Sequence, residues 1–298
     1  MSQKAIPCEE KNAIVGGTLY LVATPIGNLA DLSERAVKVL SEVDFIAAED
    51  TRNTGKLLSC LGISKPMISY YEHNKRERGP VIVERLRAGE SCALCSDAGT
   101  PAVSDPGEDL VALCAAEGVP VTSIPGCCAA ITALTLSGLP TARFTFEGFL
   151  PVDNRTRRTR LEALARTDHT MILYEAPHKL RGTLADLAKT LGAERPVALC
   201  RELTKRNEEI FRATLGEAIA RYEKEDPRGE YVLILGGAAD LPLVDDEKAA
   251  RAALSPAAHV AYYENQGLSR MDAIKAAAKE RGIPKNELYR LVNLGKDE

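Results

Sequence analysis

From Thr18 onward, short apolar runs alternate with longer stretches whose apolar residues recur every three or four positions, the pattern of strands and helices interleaved around a mainly parallel α/β sheet. In the first half, Leu19–Ala23, Phe45–Ala48, Met67–Tyr70, Ala93–Ser96 and Val121–Ile124 predict strands. Leu32–Leu40, Val81–Leu86 and Leu110–Ala116 predict helices between them. Near Thr141 the pattern changes, with Phe144, Phe146 and Phe149 set against Thr145 and Glu147 as on a half-exposed strand. A second domain is expected from here, with strands at Met171–Tyr174, Val197–Cys200, Ile210–Ala213 and Tyr231–Leu235. Its helices are expected around Leu161–Ala165, Leu180–Leu191 and Leu215–Tyr222.

Residues 236–247, rich in Gly, Pro and acids, read as a linker. Beyond it Ser269 is placed to cap a helix through Lys279, Gly282 to end it, and Pro284 to start another running to Leu294, a helix–turn–helix outline. The expected division is therefore 17–140, 141–240 and a small helical unit over 250–298, and a length of 298 residues suits that number of parts.

Composition narrows the class. Hydrophobic residues at 45% and charged residues at 27% describe an ordinary soluble chain, and no apolar run is long enough to cross a bilayer or act as a signal peptide. A cytoplasmic location away from membranes is expected. The net charge of −4 offers nucleic acid no general attraction, so any RNA contact must come from local basic patches. One is the run Arg155, Arg157, Arg158 and Arg160, joined by Arg166; another is the C-terminal set including Arg270, Lys275, Lys279, Arg281, Lys285 and Arg290. Arginine forks suit phosphate oxygens. Cys92 and Cys95 have a metal-like spacing, yet on a strand they face opposite sides, and the cysteines read as small buried hydrophobes rather than ligands.

Glycine and proline cluster where strands should end, the edge at which open α/β sheets bind ligands. The clusters are Ala23–Asn28, Ser96–Pro101 with Val103–Gly107, Ile124–Ala129 and Tyr174–His178. No G-x-G-x-x-G follows the first strand and no G-x-x-x-x-G-K-[ST] is present, which argues against a nicotinamide dehydrogenase and a P-loop enzyme.

The runs Thr18–Leu29, Ala48-Glu-Asp-Thr-Arg52, Ser96-Asp-Ala-Gly-Thr-Pro101, Ser104-Asp-Pro-Gly107, Tyr174-Glu-Ala-Pro-His178 and Arg201-Glu-Leu-Thr-Lys205 resemble, in order, those of the bacterial ribosomal RNA small subunit methyltransferase I family of the tetrapyrrole methylase superfamily. The resemblance implies two α/β domains with S-adenosylmethionine bound in the cleft between them. It also implies methylation of the 2′-oxygen of a cytidine in the decoding region of small-subunit ribosomal RNA, and a homodimer. Carried over by position, it places Pro25, Gly27, Asp97, Gly99, Thr100, Ala129, Ala130 and Tyr174 at the cofactor. The family usually has Pro-Gly-Pro-Ser-Ala where this chain has Pro125-Gly-Cys-Cys-Ala129, so a hydroxyl at position 128 is missing; Lys179 and Leu203 are smaller departures.

Attack by a hydroxyl on a methylsulfonium needs an aligned oxygen and help with its proton. Glu175, His178, Glu202 and Lys205 are the groups expected near the cleft, with Glu175 or His178 as base and Lys205 stabilising the alkoxide. Two other readings stay open on these residues: a tetrapyrrole methylase acting on a small acidic macrocycle, and an RNA-binding module without catalysis. The arginine run and the C-terminal unit favour RNA over a macrocycle.

Overall fold

The computed structural model describes residues 12–238 and 254–294. Two compact units divide the chain, one ending at Ala238 and the other beginning at Ala239. Residues 239–253, which include most of the expected linker, lie outside the described residues.

The first unit holds two five-stranded sheets. Sheet one is made of β1 (Leu19–Val22), β2 (Phe45–Ala48), β3 (Met67–Ser69), β4 (Cys92–Cys95) and β5 (Val121–Ile124), in the order β3-β2-β4-β1-β5 and parallel throughout. Its central strands β2 and β4 are buried at every residue, as expected of parallel strands covered on both faces. Alternation sends Leu19, Phe45, Cys92 and Leu94 into one core, and Tyr20, Val22, Ile46, Ala93 and Cys95 into the other. Cys92 and Cys95 thus face opposite sides; burial pushes the Cys95 thiol up to about 12 and the Cys92 thiol higher still.

Helices α1 (Glu34–Glu42), α2 (Thr51–Cys60), α3 (Lys75–Arg87), α4 (Glu108–Ala116) and α5 (Ala129–Ser137) connect and follow these strands. Asp50 caps α2, a helix the apolar pattern does not reveal because only Thr54 and Leu58 are buried on it. Because β1 lies between β4 and β5, the loops that leave these three strands stand side by side at one edge. This is the point where the winding of an open sheet changes direction.

Sheet two comprises β6 (Phe144–Phe149), β7 (Thr170–Glu175), β8 (Pro196–Arg201), β9 (Glu209–Thr214) and β10 (Tyr231–Leu235), in the order β6-β7-β10-β8-β9. The expectation of a mainly parallel sheet fails here: only β6 and β7 are parallel, while β10 inserts antiparallel between β7 and β8, and β8 and β9 form a hairpin. Apolar periodicity reports burial and is blind to strand direction. Register places Tyr231 opposite both Glu175 and Arg201, so the end of β7, the end of β8 and the start of β10 meet in one row.

Helices α6 (Asn154–Ala165), α7 (Pro177–Leu191) and α8 (Leu215–Lys224) cover one face of sheet two. Its other face packs on α5, whose Ala130, Ala133 and Leu134 sit among Ile172, Ala198, Cys200, Val232 and Ile234. Helix α5 follows the last strand of sheet one and rests on sheet two, so the loop edges of both sheets converge at its N-terminus.

The second unit has three described helices, α9 (Pro256–Asn265), α10 (Arg270–Arg281) and α11 (Lys285–Leu294), one more than the expected pair. Ser255 and Ser269 cap the first two, and Gly282 ends the second at φ 69°. Val260, Ala273, Ile274, Ala277, Ala278, Leu288 and Val292 form its core. His259 is fully buried there, bonded through Nε2 to Glu280 at 2.8 Å and accepting at Nδ1 from Arg281 at 2.9 Å. Arg281 is therefore turned into the unit rather than held out for a ligand.

Candidate active site

The converging loops enclose a cavity of about 440 Å³. Sheet one contributes Ile26, Gly99, Thr100, Val103, Asp105, Cys128 and Ala129; sheet two contributes Phe149, Tyr174, Glu175, His178, Glu202, Leu203, Lys205 and Val232. Four local devices set its shape. Thr24 and Gly99 exchange backbone hydrogen bonds at 2.9 and 3.0 Å, pinning the loop after β1 to the loop after β4. The Thr100 hydroxyl donates to the Cys127 carbonyl at 2.9 Å, tying in the loop after β5. Tyr174 accepts at its hydroxyl from the Ala130 amide at 3.2 Å, joining β7 to the first turn of α5. Phe146 and Phe149 meet the Tyr174 ring edge-on at 5.2 and 5.6 Å. Burial pushes the Tyr174 phenol up to about 12, so it stays neutral.

Gly27 is needed for contact between the sheets. A Cβ there would stand 2.4 Å from Lys205 Cγ, 2.9 Å from Thr204 Oγ1 and 3.2 Å from the Leu203 carbonyl oxygen. The turn after β1 therefore seats directly on the loop after β8.

The residues expected at the cofactor divide between two depressions. Gly99, Thr100, Ala129 and Tyr174 line the large cavity. Pro25, Gly27 and Asp97 line a smaller depression of about 250 Å³ with Asn53, beyond the Thr24–Gly99 bridge. Asp97 is exposed; its carboxylate accepts from Asn53 Nδ2 at 3.1 Å and its amide donates to Glu49 at 3.1 Å. Ala130 is buried, and its amide is taken by Tyr174.

The expected acid–base groups also take distinct roles. Glu175 is buried, with one oxygen accepting from the Ala176 amide at 2.8 Å and the other from the Thr183 hydroxyl. Thr183 in turn accepts from Arg157 Nη2 at 2.9 Å, and Arg157 Nε donates to Asp186 at 2.8 Å. This chain of bonds fastens α6 and α7 to β7 and gives each Glu175 oxygen one donor. Among the arginines of α6 the Arg157 guanidinium is turned inward onto Asp186 and Thr183, whereas Arg155, Arg158 and Arg160 are exposed. His178 is exposed at the cavity rim.

Lys205 Nζ donates to Glu202 at 2.9 Å and to Glu230 at 2.7 Å. Burial works against its charge, but the bonds to Glu230 and Glu202 outweigh that and hold the ammonium above its ordinary range. Glu202 also accepts from the Glu230 amide at 2.9 Å; that bond, reinforced by Lys205, holds its carboxyl below the usual range. The pair thus stays ionised, with the ammonium fixed at the cavity wall.

Glu230 and Asp105 escape a reading of the sequence alone. Nothing local marks Glu230, because its partner lies 25 residues away across the β8–β10 register. Asp105 lies within Ser104-Asp-Pro-Gly107, a loop already conspicuous for its glycine and proline.

The departure at Cys127-Cys128 has a local consequence. Cys128 is the N-cap of α5 and its side chain makes no capping bond, while the Tyr174 hydroxyl supplies an acceptor to the first turn. Replacing Cys128 by serine restores a capping acceptor and should raise stability by about 0.5–1 kcal/mol, read as a higher urea midpoint at unchanged m. An unchanged or lowered midpoint would show that the thiol packs better than a hydroxyl caps.

Comparison with known proteins places this architecture. Residues 18–219 match the family model of the tetrapyrrole (corrin/porphyrin) methylases. The chain is 48% identical over 277 residues to the ribosomal RNA small subunit methyltransferase I of Synechocystis sp., covering 92% of this chain and 97% of the relative. It is 48% identical over 275 residues to the protein of that name from Halalkalibacterium halodurans, covering 92% and 94%. The crystal structure of uroporphyrin-III C-methyltransferase from Thermus thermophilus complexed with S-adenyl homocysteine has the same fold, at TM-score 0.52 and 22% identity over 74% of this chain and 98% of that one. The chain belongs to the tetrapyrrole methylase family and, within it, to the ribosomal RNA small subunit methyltransferase I family of methyltransferases.

Proposed function

We propose that this chain transfers a methyl group from S-adenosylmethionine to the ribose 2′-oxygen of a cytidine in the decoding region of small-subunit ribosomal RNA. The observation that carries this reading is a match along 92% of the chain to relatives named for that RNA. The cavity is consistent with it. Its volume lies in the range of small-molecule sites, and Ile26, Leu203, Val232 and Tyr174 give it apolar walls suited to an adenosyl group. Asp105 stands in its wall, where burial first, and then repulsion from Glu49 and Asp97, raises its carboxyl. When bound, that cofactor supplies an electrophilic methyl group. The chain holds Lys205 ionised at the wall, where it stabilises negative charge on the attacking oxygen and does not act as a base.

RNA contact is assigned to Arg155, Arg158 and Arg160, with Arg270 and Lys285 of the second unit as further exposed cations. The substrate is the small subunit or its RNA, met in the cytoplasm by a homodimer. Among the described residues no helix is long and apolar enough to cross a membrane. Incubating the purified protein with methyl-labelled S-adenosylmethionine and small ribosomal subunits should place label in the RNA. Label accepted only by a tetrapyrrole would overturn the reading in favour of a macrocycle methylase.

Reversing Arg155 and Arg158 to glutamate should weaken subunit binding and flatten its salt dependence, by about 0.7–0.9 in log–log slope for each phosphate no longer neutralised. Arg157→Gln should instead lower the melting temperature and leave the slope alone, because its guanidinium serves Asp186 and Thr183. An unchanged slope in the double reversal would return α6 to a plain solvated face.

A further inference from the structure

Methyl transfer to a ribose oxygen needs a proton acceptor; each Glu175 oxygen already accepts one hydrogen bond, and one Glu202 oxygen accepts from both Lys205 and the Glu230 amide. We propose that Asp105 is that acceptor, taking the proton from the target hydroxyl as its oxygen attacks the methyl group; the assignment rests on the methyl-transfer reading above. In this step a lone pair of the ribose oxygen forms the new O–C bond and the C–S bond breaks with its electron pair left on sulfur. The hydroxyl proton moves to a carboxylate oxygen of Asp105 and is afterwards released to water.

Two independent features of the fold converge on this residue. First, Asp105 lines the same cavity as Lys205 but comes from the opposite sheet, so an oxygen entering between the two loops meets an acceptor on one side and a fixed ammonium on the other. Second, the backbone is forced at both places. Among the described residues the only non-glycine residues at positive φ are Ala102 at 66°, Ser104 at 62°, Glu202 at 51° and Thr204 at 65°. One pair immediately precedes Asp105 and the other belongs to the Lys205 loop. Left-handed backbone at ordinary residues persists only where the surroundings impose it, and such positions gather at functional sites.

The surroundings also suit a proton acceptor. Burial pushes the Asp105 carboxyl up to about 6, against an opposing effect of the Ser96 hydroxyl and with added repulsion from Glu49 and Asp97. The remaining charged or titratable groups facing the cavity are Glu175, His178, Glu202, Lys205 and Glu230, with Cys128, Cys200 and Tyr231 and the neutral phenol of Tyr174. A carboxyl in that range is largely ionised at neutral pH yet more basic than an ordinary carboxylate, as general-base catalysis favours. The base form exists above the midpoint, so the rate should rise with pH through about 6 and then level off.

The test compares parent protein and Asp105→Asn with small ribosomal subunits and saturating S-adenosylmethionine in single turnover. The expected result is a loss of about 100-fold or more, the scale of general-base catalysis. Cofactor affinity by calorimetry should stay within about threefold, and the inflection near pH 6 should disappear. In the parent protein, carboxyl-carbon NMR should place the Asp105 midpoint near 6 whether or not subunits are present. A variant that keeps the parental rate, one that loses only cofactor affinity, or an Asp105 midpoint in the ordinary carboxylate range would each overturn the assignment. A parent protein inactive on subunits would defeat the methyl-transfer reading itself, an outcome distinct from these.

Discussion

Lys205→Met should reduce single-turnover methyl transfer by about 10²–10³, the usual cost of deleting one charge-stabilising donor from an enclosed site. The ammonium is bound by Glu202 and Glu230 before any substrate arrives, so little reorganisation is needed when negative charge develops beside it. Methionine keeps the length and packing of the stem while removing the charge, which confines the loss to the chemical step. Cofactor affinity should change little. Because the ammonium is held above its ordinary range, the parental rate should not fall through lysine deprotonation anywhere below about pH 10. A Lys205→Met protein that turns over at the parental rate would remove Lys205 from the chemistry and leave it as a tie between Glu202 and Glu230.

Gly27→Ala is expected to act on the same lysine by steric means. The added methyl group would fall 2.4 Å from Lys205 Cγ, below any tolerable contact, and that atom is mid-stem, so the whole side chain has to swing away. Overpacking of this kind costs about 1–3 kcal/mol. Moving Nζ out of its bonds with Glu202 and Glu230 should bring the rate close to that of Lys205→Met. A double-mutant cycle separates this cause from a general loosening of the turn. In a Lys205→Ala background Cγ is absent, so adding Gly27→Ala should cost less activity than it does in the parent, with some cost left from Thr204 Oγ1 at 2.9 Å and the Leu203 carbonyl oxygen at 3.2 Å. Full additivity of the two changes would mean that Gly27 matters for another reason.

The strands of sheet one were legible because each is a short, continuous apolar run bounded by turn residues, and the loop edge that lines the cavity was legible because glycine and proline mark it. What escaped depends on through-space partners. Helix α2 buries too few apolar residues to show a period, and α9 hides its inward face behind His259, a polar residue whose burial depends on Glu280 and Arg281 on the following helix. The direction of β10 left no trace, although it alone brings Glu230 to Lys205. Arg157 and its neighbours look alike in sequence, and only the position of Asp186 and Thr183 on α7 turns one of them inward. Glu175 was conspicuous within its Tyr-Glu-Ala-Pro-His run, but its bonds to the Ala176 amide and to the Thr183 hydroxyl on α7 left no sign in the sequence.

Whether this chain methylates ribosomal RNA, and does so through the Lys205 wall of the cavity, is decided by mass mapping of ribose methylation on small-subunit RNA. The cells to compare are those with the chain, those without it, and those complemented by parent protein or by Lys205→Met. One ribose-methylated cytidine in the decoding region should vanish with the chain and return with the parent protein but not with the lysine variant. A methylation map that is the same in all four would refute the assignment.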